Sequence, residues 1–93
     1  MKTTTSIYQW YKKVTNLVAK NIEKINMHEF TIEVSFMDIR ESHRSITINV
    51  FYHAKDNCKL VHKFSIANYE EDKDNKKSFI DFKNFLENIE TSF

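Results

Sequence analysis

His53, Cys58 and His62 lie close together in the sequence, and imidazole and thiolate are ligands that zinc favours. The stretch that carries them, TINVFYHAKDNCKLVHKF (47–64), alternates apolar and polar residues about a KDN turn, as two paired strands do. Alternation puts successive side chains on opposite faces, so His53 is expected on one face and Cys58 and His62 on the other. Three ligands so placed cannot converge, and no metal is expected. Cys58 with His62 is also the closest thiol–imidazole pair, but four positions along a strand separate them by about 13 Å, beyond hydrogen-bond reach. Cys58 reads instead as a small buried hydrophobe and His62 as a partly buried histidine.

Asp72, Asp74 and the following SFIDFK have the outline of a calcium loop. Counted from Asp72, however, its sixth and twelfth positions hold Lys77 and Lys83, where the loop needs Gly and Glu. With no Gly anywhere, a glycine-rich phosphate cradle is excluded. The expectation is a protein that is not an enzyme and that uses no cofactor.

The elements that position these residues follow from periodicity. Ile7, Trp10, Tyr11, Val14, Leu17, Val18, Ile22 and Ile25 keep helical spacing, which predicts one helix over 6–26, opened by the Ser6–Gln9 pair of a capping box. Alternation predicts strands over 29–36, 45–53 and 58–66, the first two joined by the polar loop DIRESHR (38–44). The charged segment YEEDKDNKK reads as a mobile loop, and Phe79, Phe82, Phe85, Leu86 and Ile89 predict a last helix over 78–90. The expected fold is α+β in two layers: a three-stranded antiparallel meander in α-β-β-β-α order, with both helices on one face. Its expected core contains Val14, Val18, Ile32, Val34, Ile48, Val50, Phe64, Phe82 and Leu86.

The 93 residues suit one domain, residues 1–93. With 14 Lys plus Arg against 13 Asp plus Glu, the net charge of +1 offers no general field to nucleic acid or to a membrane. No apolar run is long enough to span a bilayer, and MKTTTSIYQWYKKV lacks the core of a secretory signal, so a cytoplasmic protein is expected. The lone cysteine agrees with a reducing compartment. Abundant Lys, Ile and Asn beside no Gly and no Pro point to an AT-rich genome, such as that of a low-GC bacterium, its phage or plasmid, or a protozoan.

The order helix–strand–strand–strand–helix is similar to that of the double-stranded-RNA-binding domain. In that family a loop between the first two strands enters a minor groove, and lysines at the start of the last helix meet phosphates. The resemblance would give those roles to Arg40, His43 and Arg44 in the first loop and to Lys73, Lys76 and Lys77. The chain departs from the family in lacking its Gly-Pro before the loop histidine. KKSFIDFK does not match its KKxxAK, and Glu70, Glu71, Asp72 and Asp74 stand among the lysines.

The same alternation that buries its neighbours sends Phe51 and Val61 outward. Pairing 54 with 58 across the turn sets Phe51 opposite Val61, with Thr31 in their row, Glu33, Asn49 and Lys63 in the next, and His53 with Lys59 beyond. An apolar pair in a polar ring on an uncovered sheet is how a small protein-binding patch is built. The expected function is therefore a protein-interaction module, of the kind a phage or mobile element carries as an inhibitor or accessory protein. Its patch would be Phe51, Val61, His53, Lys63, Asn49 and Thr31, and any homodimer is expected through the first strand or the open face. The alternative expectation is nucleic-acid binding through Arg40, His43, Arg44, Lys73, Lys76 and Lys77.

Overall fold

The computed structural model describes residues 6–55 and 57–89. Its elements are α1 (Ile7–Lys20), α2 (Ile22–Met27), β1 (Phe30–Arg40), β2 (His43–Ala54), β3 (Asn57–Ala67) and α3 (Asp72–Glu87). The three strands form one antiparallel sheet in the order β1-β2-β3. The fold is α+β, with helices before and after the sheet. Glu90, where the last helix was expected to end, and Asp56 of the KDN turn lie outside the described residues.

The capping box forms. The Ser6 hydroxyl accepts from the Gln9 N–H at 3.2 Å, and the Gln9 side chain accepts from the Ser6 N–H at 3.1 Å. The single long helix does not, because Asn21 breaks it. Its side-chain amide donates to the Leu17 carbonyl at 2.8 Å, while its N–H turns to Val18 one residue too early for an α-helix. Asn competes for backbone in this way and so interrupts helices. After the break the short α2 buries Ile25. The chain then enters β1 through Glu29 at φ 62°, a left-handed position that it fills without glycine.

The strands run further than alternation suggested. The expected 38–44 loop is instead the end of a tight hairpin: β1 continues to Arg40, β2 starts at His43, and Glu41 and Ser42 turn between them. Its polar residues are ordered by one another. The Arg44 Nε donates to Asp38 at 2.9 Å, and the Arg40 Nε donates to the His43 Nδ1 at 3.2 Å. Ile39 is an extra residue in β1, since Asp38 pairs with Arg44 and Arg40 with His43.

The segment expected as a mobile loop is largely helical. α3 begins at Asp72, where Asp72 and Asp74 complement the positive end of the helix dipole. Asn75, only 4% exposed, ties this end to the sheet. Its amide donates to the Ala67 carbonyl at 2.8 Å and its oxygen accepts from the Ala67 N–H at 3.1 Å. One Asn thereby does for the end of β3 what a fourth strand would do.

Both long helices lie on one face of the sheet. Ile46, Ile48 and Val50 of β2 and Ile66 of β3 are fully buried beneath Val14 of α1 and Phe82 and Leu86 of α3. Trp10 meets Phe79, Phe64 meets Phe82 and Phe30 meets Phe85, with ring centroids 5.3 to 5.5 Å apart. Of the expected core, Val14, Ile48, Val50, Phe82 and Leu86 are buried, while Val18, Ile32, Val34 and Phe64 are half-buried at its margin. No helix among the described residues is long and apolar enough to cross a membrane.

Phe82→Ala should therefore cost about 3–5 kcal/mol in urea denaturation, and Phe64→Ala distinctly less. Asn75→Ala, which strands the N–H and C=O of Ala67, should cost about 1–3 kcal/mol.

Candidate functional site

The face of the sheet turned away from the helices carries no buried side chain from Thr31 to Met37, from Thr47 to His53 or from Cys58 to Ser65. Its middle row is as expected: Glu33 pairs with Asn49 and Asn49 with Lys63, and the Asn49 amide donates to Glu33 at 3.1 Å. No carboxylate balances Lys63 among the described residues.

Nearer the hairpin tip the expected register fails. From Ile46–Ile66 to Val50–His62 the strands pair as the alternation requires, but Phe51 then pairs with Leu60, His53 with Cys58 and Ala54 with Asn57. Val61 is the extra residue of a β-bulge. The tip closes through the left-handed Lys55, at φ 48°, one residue earlier than a 54–58 pairing implies. The bulge absorbs the difference, so the buried rows remain in phase and the tip alone is shifted.

The shift changes what the face presents. Leu60, expected inward, stands beside Phe51 and is 53% exposed, and Val61 is 42% exposed. Two consecutive apolar residues thus share one side, as the two residues of a bulge do. With half-buried Phe51 they make a continuous apolar cluster of three in place of the expected pair. Thr31 pairs with Phe51 from β1, and its hydroxyl shares a hydrogen bond with the His53 Nε2.

Cys58 is exposed and lies opposite His53 on this face, which corrects its expected place as a buried residue on the helix side. Lys59, expected beside His53, pairs with Tyr52 on the helix side. His62 does lie on the helix side, with its ring against Phe64 and Phe85, but it is exposed. Among the described residues no three His, Cys, Asp or Glu gather as a metal site would need.

The basic residues of the alternative reading do come to one end of the molecule. Asn68, on the path from β3 to α3, accepts from the Arg44 N–H at 3.0 Å and donates to the Glu41 carbonyl at 2.9 Å, so it joins the β1–β2 hairpin to the approach of α3. Lys73, Lys76 and Lys77 lie in the first turns of α3, not in a loop before it. Acids meet most of these cations: Arg44 pairs with Asp38 and Lys77 with Asp81 at 2.9 Å, and Lys73 with Glu71 at 3.3 Å. Hydrogen bonds to those carboxylates hold Arg44 and Lys77 above their ordinary pKa values. Arg40 and Lys76 have no carboxylate partner among the described residues.

Exposure of Cys58 is directly measurable. The native protein should react with a thiol-specific reagent within about tenfold of the rate of the urea-unfolded chain, whereas a thiol turned into the core would be shielded far more strongly. Set beside protein-family models, curated proteins and solved structures, the chain matches none of them.

Proposed function

We propose that this chain is a non-enzymatic protein-interaction module that docks a protein partner on the open face of its sheet, centred on Phe51, Leu60 and Val61. The observation that supports this most is the bulge. A regular hairpin would turn Leu60 toward the helix side; the extra residue at Val61 brings it out beside Phe51. The chain exposes apolar surface there without gaining core.

The rim suggests the partner's chemistry. Thr31, Asn49, His53 and Lys63 surround the cluster with hydrogen-bonding groups and one uncompensated positive charge. An apolar side chain flanked by a carboxylate would fit: the apolar group against Phe51 and Leu60, the carboxylate toward Lys63. A few desolvated side chains carry most of the energy in such contacts, so a small patch suffices. A composition that suits an AT-rich genome, as phages and mobile elements of low-GC bacteria have, is compatible with the narrower reading of an inhibitor or accessory protein.

The gathering of Arg40, His43 and Arg44 with Lys73, Lys76 and Lys77 at one end favours nucleic-acid binding as a second reading. The ion pairs of Arg44, Lys73 and Lys77 weigh against it, because a cation already paired gains less from a phosphate. No salt-sensitive complex with duplex RNA is expected near physiological ionic strength. A submicromolar complex lost on changing Lys76 and Lys77 to Glu would reverse the order of the two readings.

The main reading is tested by capture from cells that carry the sequence, using wild type and Phe51→Ser side by side. Phe51 lies outside the core, so the melting temperature should change little. Affinity for the captured protein should fall by about 2 kcal/mol or more, roughly thirtyfold. A partner held equally well by Phe51→Ser and Leu60→Ser would place the docking surface elsewhere.

A further inference from the structure

We infer that two copies of this chain pair edge to edge through β1, antiparallel about a twofold axis at Val34, to make one continuous six-stranded sheet. The two edges of the sheet are unlike. Along β3, Asn75 occupies the backbone groups of Ala67, a bulge interrupts the strand at Val61, and Lys59 and Lys63 project from it. Each of these blocks strand addition. Along β1, register is unbroken from Phe30 to Asp38, with no proline and with Glu33 the only charge before Asp38.

Backbone direction leaves the β1 edge open. The His53 N–H donates to the Glu29 carbonyl at 2.9 Å, so odd-numbered residues of β1 aim their backbone groups at β2. Alternation then aims Ile32, Val34 and Phe36 at the free edge. Among the described residues nothing meets their edge-facing N–H and C=O groups. The side chains of these three residues point to the helix layer and are only half-buried, beside fully buried Ile46, Ile48 and Val50. The edge thus leaves both hydrogen bonds and apolar surface incomplete.

A second copy supplies both, in a register its own residues select. The midpoint of the unbroken segment 30–38 is Val34. Setting Val34 opposite its counterpart pairs Ile32 with Phe36 on the helix side, and it forms about six main-chain hydrogen bonds. On the open face it sets Glu33 opposite Ser35 and Thr31 opposite Met37. Sliding two residues one way brings the two Glu33 carboxylates face to face. Sliding two the other way runs Phe30 and Thr31 onto the bulge at Ile39. α2 packs against β1 and leaves Ile22 and Met27 exposed.

Sedimentation equilibrium of the full chain up to roughly 100 μM tests this. Wild type should be a dimer. Ser35→Glu, an exposed change that sets carboxylates opposite Glu33 twice across the axis, should raise the dissociation constant at least about tenfold, and adding Glu33→Lys should restore it. Val34→Pro removes an edge-facing N–H, breaks no hydrogen bond within the sheet and trims a side chain at the margin of the core, and should give a folded monomer by circular dichroism. Phe51→Ser should leave the dimer intact, which separates this interface from the open-face patch. A wild-type monomer throughout that range, or a dimer indifferent to Ser35→Glu, would overturn the proposal.

Discussion

Ile46, Ile48 and Val50 have no accessible surface because they stand on the middle strand, with a strand on either side and helices above. Keeping that one row dry is the constraint on which the architecture rests. Each such side chain contributes roughly 1.5–3 kcal/mol when fully buried, and a chain of 93 residues has few positions able to do so. The row needs β1 and β3 in one register, α1 and α3 on one face, and anchors that stop the helices sliding. Asn75 is one anchor, binding the start of α3 to the end of β3. The aromatic contacts of Trp10 with Phe79 and of Phe30 with Phe85 are others.

A sheet covered once has a second face that owes nothing to the core. Residues there are free to serve a surface, and the chain uses the freedom unevenly. Ser35, Thr47 and Ser65 make one row small and polar, whereas Phe51, Leu60 and Val61 make the hairpin end apolar. Because the bulge lies between Val50 and the tip, the apolar end is set by local turn geometry and the buried row by long-range packing. The two requirements do not compete for the same residues.

This division also explains what could be read in the sequence. Element order, the one-sided helix layer and the pairing of Ile46 to Val50 with β3 were legible, because burial writes a strict period and a slip by one residue would invert it. The break at Asn21 was hidden because the apolar stripe continues through it to Ile25; only the competing side-chain amide gives it away. The early start of α3 was hidden by charge, since DKDNKK is polar whether it forms a loop or a solvated turn, and the decisive residue, Asn75, has an ordinary surface type. At the candidate site, Phe51 was legible as an apolar residue out of phase. Leu60 was not, because it fits the alternation perfectly until a bulge is inserted, and the bulge depends on a turn of two residues where three were expected. The same error placed Cys58 on the wrong face.

The helices are too short for the sheet they cover. α1, with 14 residues, spans about 21 Å, while β2, with 12, spans about 40 Å, and the molecule measures 48 Å along its longest axis. Between Asn57 and Leu60 the third strand is exposed on both sides. On its β3 side the tip of the β2–β3 hairpin is therefore unroofed and held by its ladder to β2, while β2 itself stays paired with β1 as far as His53. A strand end of this kind opens at a small fraction of the free energy needed to unfold the roofed part. Opening on that side would reach Leu60 while Phe51 keeps its pairing with Thr31 and the row at Ile46 to Val50 stays shut.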